Sequence, residues 1–175
     1  TLAAKRTTLT YQLFPRSIPI EDGLRPIVEI FARHHDSFRS DRHTLDSDGV
    51  LALVRTDLQA AGFRVEYGKE ASQKIPVPVL FRHNGEIDQS FNADAVSGDG
   101  RIVLEIEAGR AVTNHQFLKD VFQASMMHGV EYLAIAVRLD YRGKPDFETA
   151  YRFLETLYIN GRIRLPLTGI LLIGY

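Results

Sequence analysis

The sequence predicts one mixed α/β domain, a sheet of antiparallel and parallel strands flanked by helices. Three observations carry that expectation. Strand-like segments joined by tight-turn signals run from about residue 63 to 108, and amphipathic helices lie on both sides of them. The near-continuous apolar stretch YLAIAVRL suits a strand covered on both faces. A length of 175 residues fits a single domain over the whole chain, 1–175, with a real core.

Up to about Ile20 no periodicity stands out, and Pro15 and Pro19 punctuate the segment. From Leu24, the positions Ile27, Val28, Phe31 and Ala32 follow helical spacing, with Pro26 suited to a first turn. RHHDSFRSDRH reads as a polar loop. A second helix starts with Asp46 or Ser47 as N-cap, runs through the apolar positions Val50, Leu51, Leu53, Val54 and Leu58, and closes at Gly62. FRVEYG alternates as a strand, and VPVLFRH follows as another. Asn84-Gly85 then signals a hairpin, because both positions of a type I′ turn need positive φ. EIDQSFNADAV reads as one long strand, SGDG as its turn and RIVLEIEA as its partner. NHQFLKDVFQASMMHG has the spacing of an amphipathic helix ending at Gly129. YLAIAVRL, the helix DFETAYRFLETLYING and the strand LTGILLIG complete the chain.

Composition narrows the function. With no cysteine, disulfides, thiolate zinc sites and cysteine nucleophiles are excluded. The formal charge of -1 argues against indiscriminate coating of nucleic acid, while leaving room for a local basic groove. TLAAKRTT has no apolar core of signal-peptide length, and LPLTGILLIGY is too short to span a bilayer, so a soluble cytoplasmic protein is expected. No GxxxxGK loop appears, and without tryptophan a sugar-stacking cleft has little support. Arg33, Arg39 and Arg42 beside His34, His35 and His43 read as either a phosphate-contacting patch or a solvated loop.

Two glutamates interrupt the apolar run RIVLEIEAGR. Glu105 and Glu107 share a strand face about 7 Å apart at Cβ, while Leu104 and Ile106 point the other way. An Asp99-Gly100 loop sets Asp94 across from Glu105. A Gly98-Asp99 loop sets it across from Val103 and diagonal to Glu105, on the same face. The other face then collects Phe91, Ala93, Ala95, Ile102, Leu104 and Ile106. Unit charges about 5 Å apart repel by roughly 3 kcal/mol at an effective dielectric near 20, so three acids on one face call for a proton, a cationic side chain or a bound cation. Hard oxygen donors suit Mg²⁺, with the Ile106 carbonyl as a further ligand. Lys119 and Gln123 on the next helix can face the same cleft.

This pattern resembles the PD-(D/E)xK restriction-endonuclease-like nucleases over a core of about residues 47–139. Asp94 takes the place of the motif's aspartate and Glu105 that of its D/E, while Glu107 stands where most members carry lysine. Some type II restriction endonucleases are similar in having an acid there. Ala93 replaces the motif proline, and Lys119 is the candidate for the displaced positive charge. The resemblance implies a restriction-endonuclease-like mixed sheet, an antiparallel meander plus a parallel strand. It also implies hydrolysis of DNA phosphodiester bonds with Mg²⁺, or Mn²⁺ in its stead. The metal would be held by Asp94, Glu105 and the Ile106 carbonyl, with Glu107 as ligand or water-orienting base. Glu29 is the candidate fourth acid, and a homodimer is expected where both strands are cut. The alternative is a nuclease-like fold serving as a non-catalytic nucleic-acid or protein binding module, which the near-zero charge, Ala93 and Glu107 favour. The two readings part on whether the acidic face opens into a basic-rimmed cleft or lies under the N-terminal segment.

Overall fold

The computed structural model describes residues 8–109, 111–113 and 115–175; the opening TLAAKRT, Arg110 and Asn114, the expected first residue of the third helix, lie outside the described residues. The architecture is mixed α/β. Six strands form the main sheet in the order β1 (Thr10–Phe14), β8 (Gly169–Gly174), β7 (Tyr132–Val137), β6 (Ile102–Glu107), β5 (Ala95–Ser97), β2 (Phe63–Val65). β6, β7 and β8 run parallel, and the remaining pairings in this sheet are antiparallel. Strands β3 (Ile75–Phe81) and β4 (Ile87–Ala93) form a separate two-stranded hairpin. Helices α1 (Arg25–Phe38) and α2 (Ser47–Ala60) cover one face, and α3 (Gln116–Met126) and α4 (Asp146–Asn160) the other.

β7 is buried at every position, as its unbroken apolar sequence requires. Alternation divides β6 between the layers. Ile102, Leu104 and Ile106 join the core under α1 and α2, and Val103 joins the core under α3 and α4. Each fully buried aliphatic side chain there contributes roughly 1.5–3 kcal/mol. Glu105 and Glu107 therefore point towards α3.

Local signals behave as their chemistry dictates. Asp46 is the N-cap of α2, its carboxylate accepting from the Gly49 N–H at 2.8 Å, while Ser47 Oγ accepts from the Ala108 N–H at 3.1 Å. Gly62 follows the helix with φ 91°. Asn84 and Gly85 both take positive φ, 64° and 76°, at the tip of the β3–β4 hairpin.

Four expectations need correction. The N-terminal segment contains β1, an edge strand antiparallel to β8; only Leu13 and Phe14 are buried, so no period shows. α1 continues to Phe38, because His35 and Phe38 extend the buried stripe of Ile27, Ile30 and Phe31 through what reads as a polar loop. Within it, Arg33 and His34 bind Asp57 at 2.6 and 2.9 Å, and Arg39 binds Asp41 at 2.6 Å, so they are not a free phosphate patch. EIDQSFNADAV is two strands broken at Asp94, one in each sheet. In consequence Phe91 and Ala93 pack on the α3 side, while Ala95 packs under α1 and α2.

Candidate active site

The break at Asp94 builds the site. β5 pairs with β6 as Ala95↔Leu104, so the next step along that register sets Asp94 across from Glu105. This is the register expected of an Asp99-Gly100 loop, although the turn itself closes one residue earlier: Gly100, at φ 77°, bonds its N–H to the Ser97 carbonyl, which makes Gly98 and Asp99 the central residues. As β4 leaves the sheet, the Asp94 side chain takes up the Ile106 N–H, with Oδ2 2.7 Å from that nitrogen. The Asp94 carbonyl accepts from the Glu66 N–H at 2.8 Å, at the end of β2. Backbone and side chain thus both anchor this residue where the strands diverge.

Four carboxyl groups gather at this point. Burial pushes Asp94 up to about 7 against the pull of the Ile106 N–H, with Glu66 and Asp120 adding repulsion. Burial likewise raises Glu105 well above the usual range, and the charges of Asp94 and Asp120 raise it further. Glu107 is pushed up to about 8 by burial and then by Asp120 beside it. Asp120 is itself raised by burial, although Lys119 and Glu107 pull it down. Lys119 Nζ lies 3.2 Å from Asp120 Oδ1. Partial burial pulls the Lys119 ammonium down, but Asp120, Glu107 and Glu105 together hold it above the usual lysine range.

Asp94, Glu105, Glu107 and Lys119 are therefore brought together. Ile106 meets the cluster through its N–H. Gln123 is half-buried on α3 and its side chain makes no hydrogen bond to the cluster among the described residues. Glu29 does not join: it is exposed on α1, which covers the opposite face of the sheet.

Two residues escape the sequence reading. Asp120 is 2% exposed, within the buried stripe of Phe117, Val121 and Ala124; an acid inside an apolar helical stripe was the available signal. Both its oxygens lack a partner with hydrogen-bond geometry, the Lys119 approach included. Glu66, 8% exposed, is paired with Lys74. Its place depends on β2 joining β5 across the intervening hairpin, a pairing for which the sequence has no local signal.

The donor set fits a hard divalent cation. Its oxygens become anionic on losing protons that burial first and mutual repulsion second favour, and the buried Asp120 carboxyl has the Lys119 ammonium, 3.2 Å away, as its nearest positive charge. Among the described residues no three His, Asp or Glu side chains converge at metal-ligand spacing. A cation here would draw on one or two carboxylates and complete its shell with a backbone carbonyl and water, the habit of Mg²⁺.

Glu107 also lines an open cleft of about 760 Å³ at the carboxyl ends of β6 and β7. Lys69, Arg138 and Arg142 stand around it together with Asp46, Asp48 and Asp140, and each of the two guanidinium carbons lies 5.2 Å from the centre of the Tyr141 ring. The described N-terminal segment runs as β1 on the far edge of the sheet, three strands from β6, and does not cover the acids. No described helix is long and apolar enough to cross a membrane. No protein-family model matches the chain, and no curated protein matches it.

Proposed function

We propose that this chain is a metal-dependent nuclease of restriction-endonuclease-like fold that hydrolyses DNA phosphodiester bonds. The observation that carries the reading is the placement of Asp94 across from Glu105 at a strand break, with Glu107 and Lys119 beside them. Asp94 and Glu105, with the Ile106 carbonyl, would hold Mg²⁺ or Mn²⁺. Such a cation, when bound, supplies an acidified water and offsets charge on a phosphoryl oxygen. Glu107, two residues along the same strand face from Glu105, is placed to serve as a further ligand or as the group that orients the water. Lys119 offers from α3 the positive charge that a lysine at position 107 would offer from the strand. Cutting both strands would take two copies, hence a homodimer.

A second reading, a nuclease-like binding module without catalysis, is favoured by the absence of a three-carboxylate metal set among the described residues. Plasmid nicking in Mg²⁺ or Mn²⁺ separates the two. The nuclease reading predicts cleavage by wild type that is lost in Asp94→Ala and Glu105→Ala. Cleavage unchanged in both variants ends the assignment. Inactivity of wild type on varied DNA, together with retained DNA binding, supports the binding module.

A further inference from the structure

Past β7 the chain folds back on itself: Tyr141 and Lys144 exchange backbone hydrogen bonds of 2.8 and 3.0 Å, leaving Arg142 and Gly143 as the central residues of a tight turn. Both have positive φ, 52° and 81°. Glycine or asparagine is at home at the first of these positions, whereas a side chain such as arginine costs about 1–2 kcal/mol there. Strain at such a residue is the starting point for a functional hypothesis, which the contacts of the side chain then carry.

We propose that Arg142 is a substrate-positioning residue that holds a backbone phosphate of the nucleic-acid strand beside the carboxylates. This rests on the nuclease reading and names how that site takes its substrate. The guanidinium lies over the Tyr141 ring, Cζ 5.2 Å from the centroid, and Arg138 lies at the same distance from that ring. Tyr141 is in turn seated on Gly109, two residues beyond Glu107. A Cβ at Gly109, whose φ is 108°, would run into the ring. The stack therefore ties Arg142 to the end of the strand that carries the acids.

The charges of the cleft single out Arg142. Arg138 is buried and donates to the Leu45 carbonyl. Lys69 lies 3.8 Å from Asp48. Asp46 is occupied in capping α2, and Asp140 accepts from the Gly143 N–H at 2.9 Å. Arg142 is exposed, lines the cleft with Glu107, and forms no ion pair among the described residues. Its planar fork of donors, oriented by the ring, matches the oxygens of a phosphate.

Arg142→Asn tests this without endangering the fold, because asparagine relieves the turn. Anisotropy of fluorescein-labelled single-stranded and duplex DNA is followed with Ca²⁺ in place of Mg²⁺, so that binding is read without cleavage. The variant should keep or raise its thermal midpoint, lose about threefold to tenfold in affinity, and lower the salt slope by about one. Arg142→Lys should retain part of both. Unchanged affinity and salt slope in Arg142→Asn, with wild type nicking plasmid in Mn²⁺, overturns the role of Arg142 and leaves the nuclease reading standing. A lowered thermal midpoint accompanying the loss of affinity overturns it too, since the side chain would then be structural. Wild type that neither binds nor nicks DNA overturns both.

Discussion

Raising the pH of the metal-free protein should destabilise it, because the clustered carboxyls are held protonated by the fold. Asp94 goes from an ordinary 3.8 to about 7, and Glu107 from 4.5 to about 8. A folded-state value above the unfolded one means that the folded protein binds more protons, so stability is fully present at low pH and falls as pH rises through the folded values. His35, which burial holds below its ordinary 6.5, contributes the opposite slope, but only beneath that value. Between about pH 6.5 and about pH 8.5 the carboxyls therefore act without it. Titrating groups near 7 and near 8 across that interval removes roughly 2–3 kcal/mol. Urea unfolding in EDTA at the two pH values measures it directly. Asp94→Asn, which keeps an oxygen for the Ile106 N–H, should flatten the dependence, and Mg²⁺ at the higher pH should restore stability by mass action. Stability that is flat or rises over this interval would refute the claim that these half-buried acids crowd together around Asp120 without a cation.

Two further outcomes follow from the same geometry. Lys74→Met leaves Glu66 buried without its cation and should cost roughly 1–3 kcal/mol in urea unfolding; adding Glu66→Leu should recover most of it. Asp46→Ala removes the N-cap of α2 and should cost about 1 kcal/mol, seen as a lower thermal midpoint.

Much of this molecule is legible from local chemistry. Asn84-Gly85 marks its turn because two positive φ values are demanded there, and Tyr132–Val137 reads as a doubly covered strand because no polar residue interrupts it. Asp94 could be placed on the face of Glu105 because an even-length SGDG turn fixes the parity of the hairpin, while the choice between Glu105 and Val103 as its opposite residue is settled only by the Ala95↔Leu104 pairing. The unread parts are those whose signal lies elsewhere in the chain. β1 is a strand because β8, at the opposite end of the sequence, offers it an edge. Glu66 belongs to the site only through the pairing of β2 with β5. The break at Asp94 is invisible to a periodicity that continues smoothly through it, and so the side of the sheet taken by Phe91 and Ala93 could not be foreseen. His35 hid the second half of α1 by placing a polar ring in a buried stripe.

The most direct test is calorimetric titration of Mn²⁺ into wild type and Glu105→Gln near neutral pH, in buffers of different ionisation enthalpy. A cation seated among these carboxyls must displace their protons, so wild type should bind saturably with proton release, and Glu105→Gln should lose that binding. No saturable binding by wild type, or equal binding by the variant, contradicts the assignment of these acids to a metal.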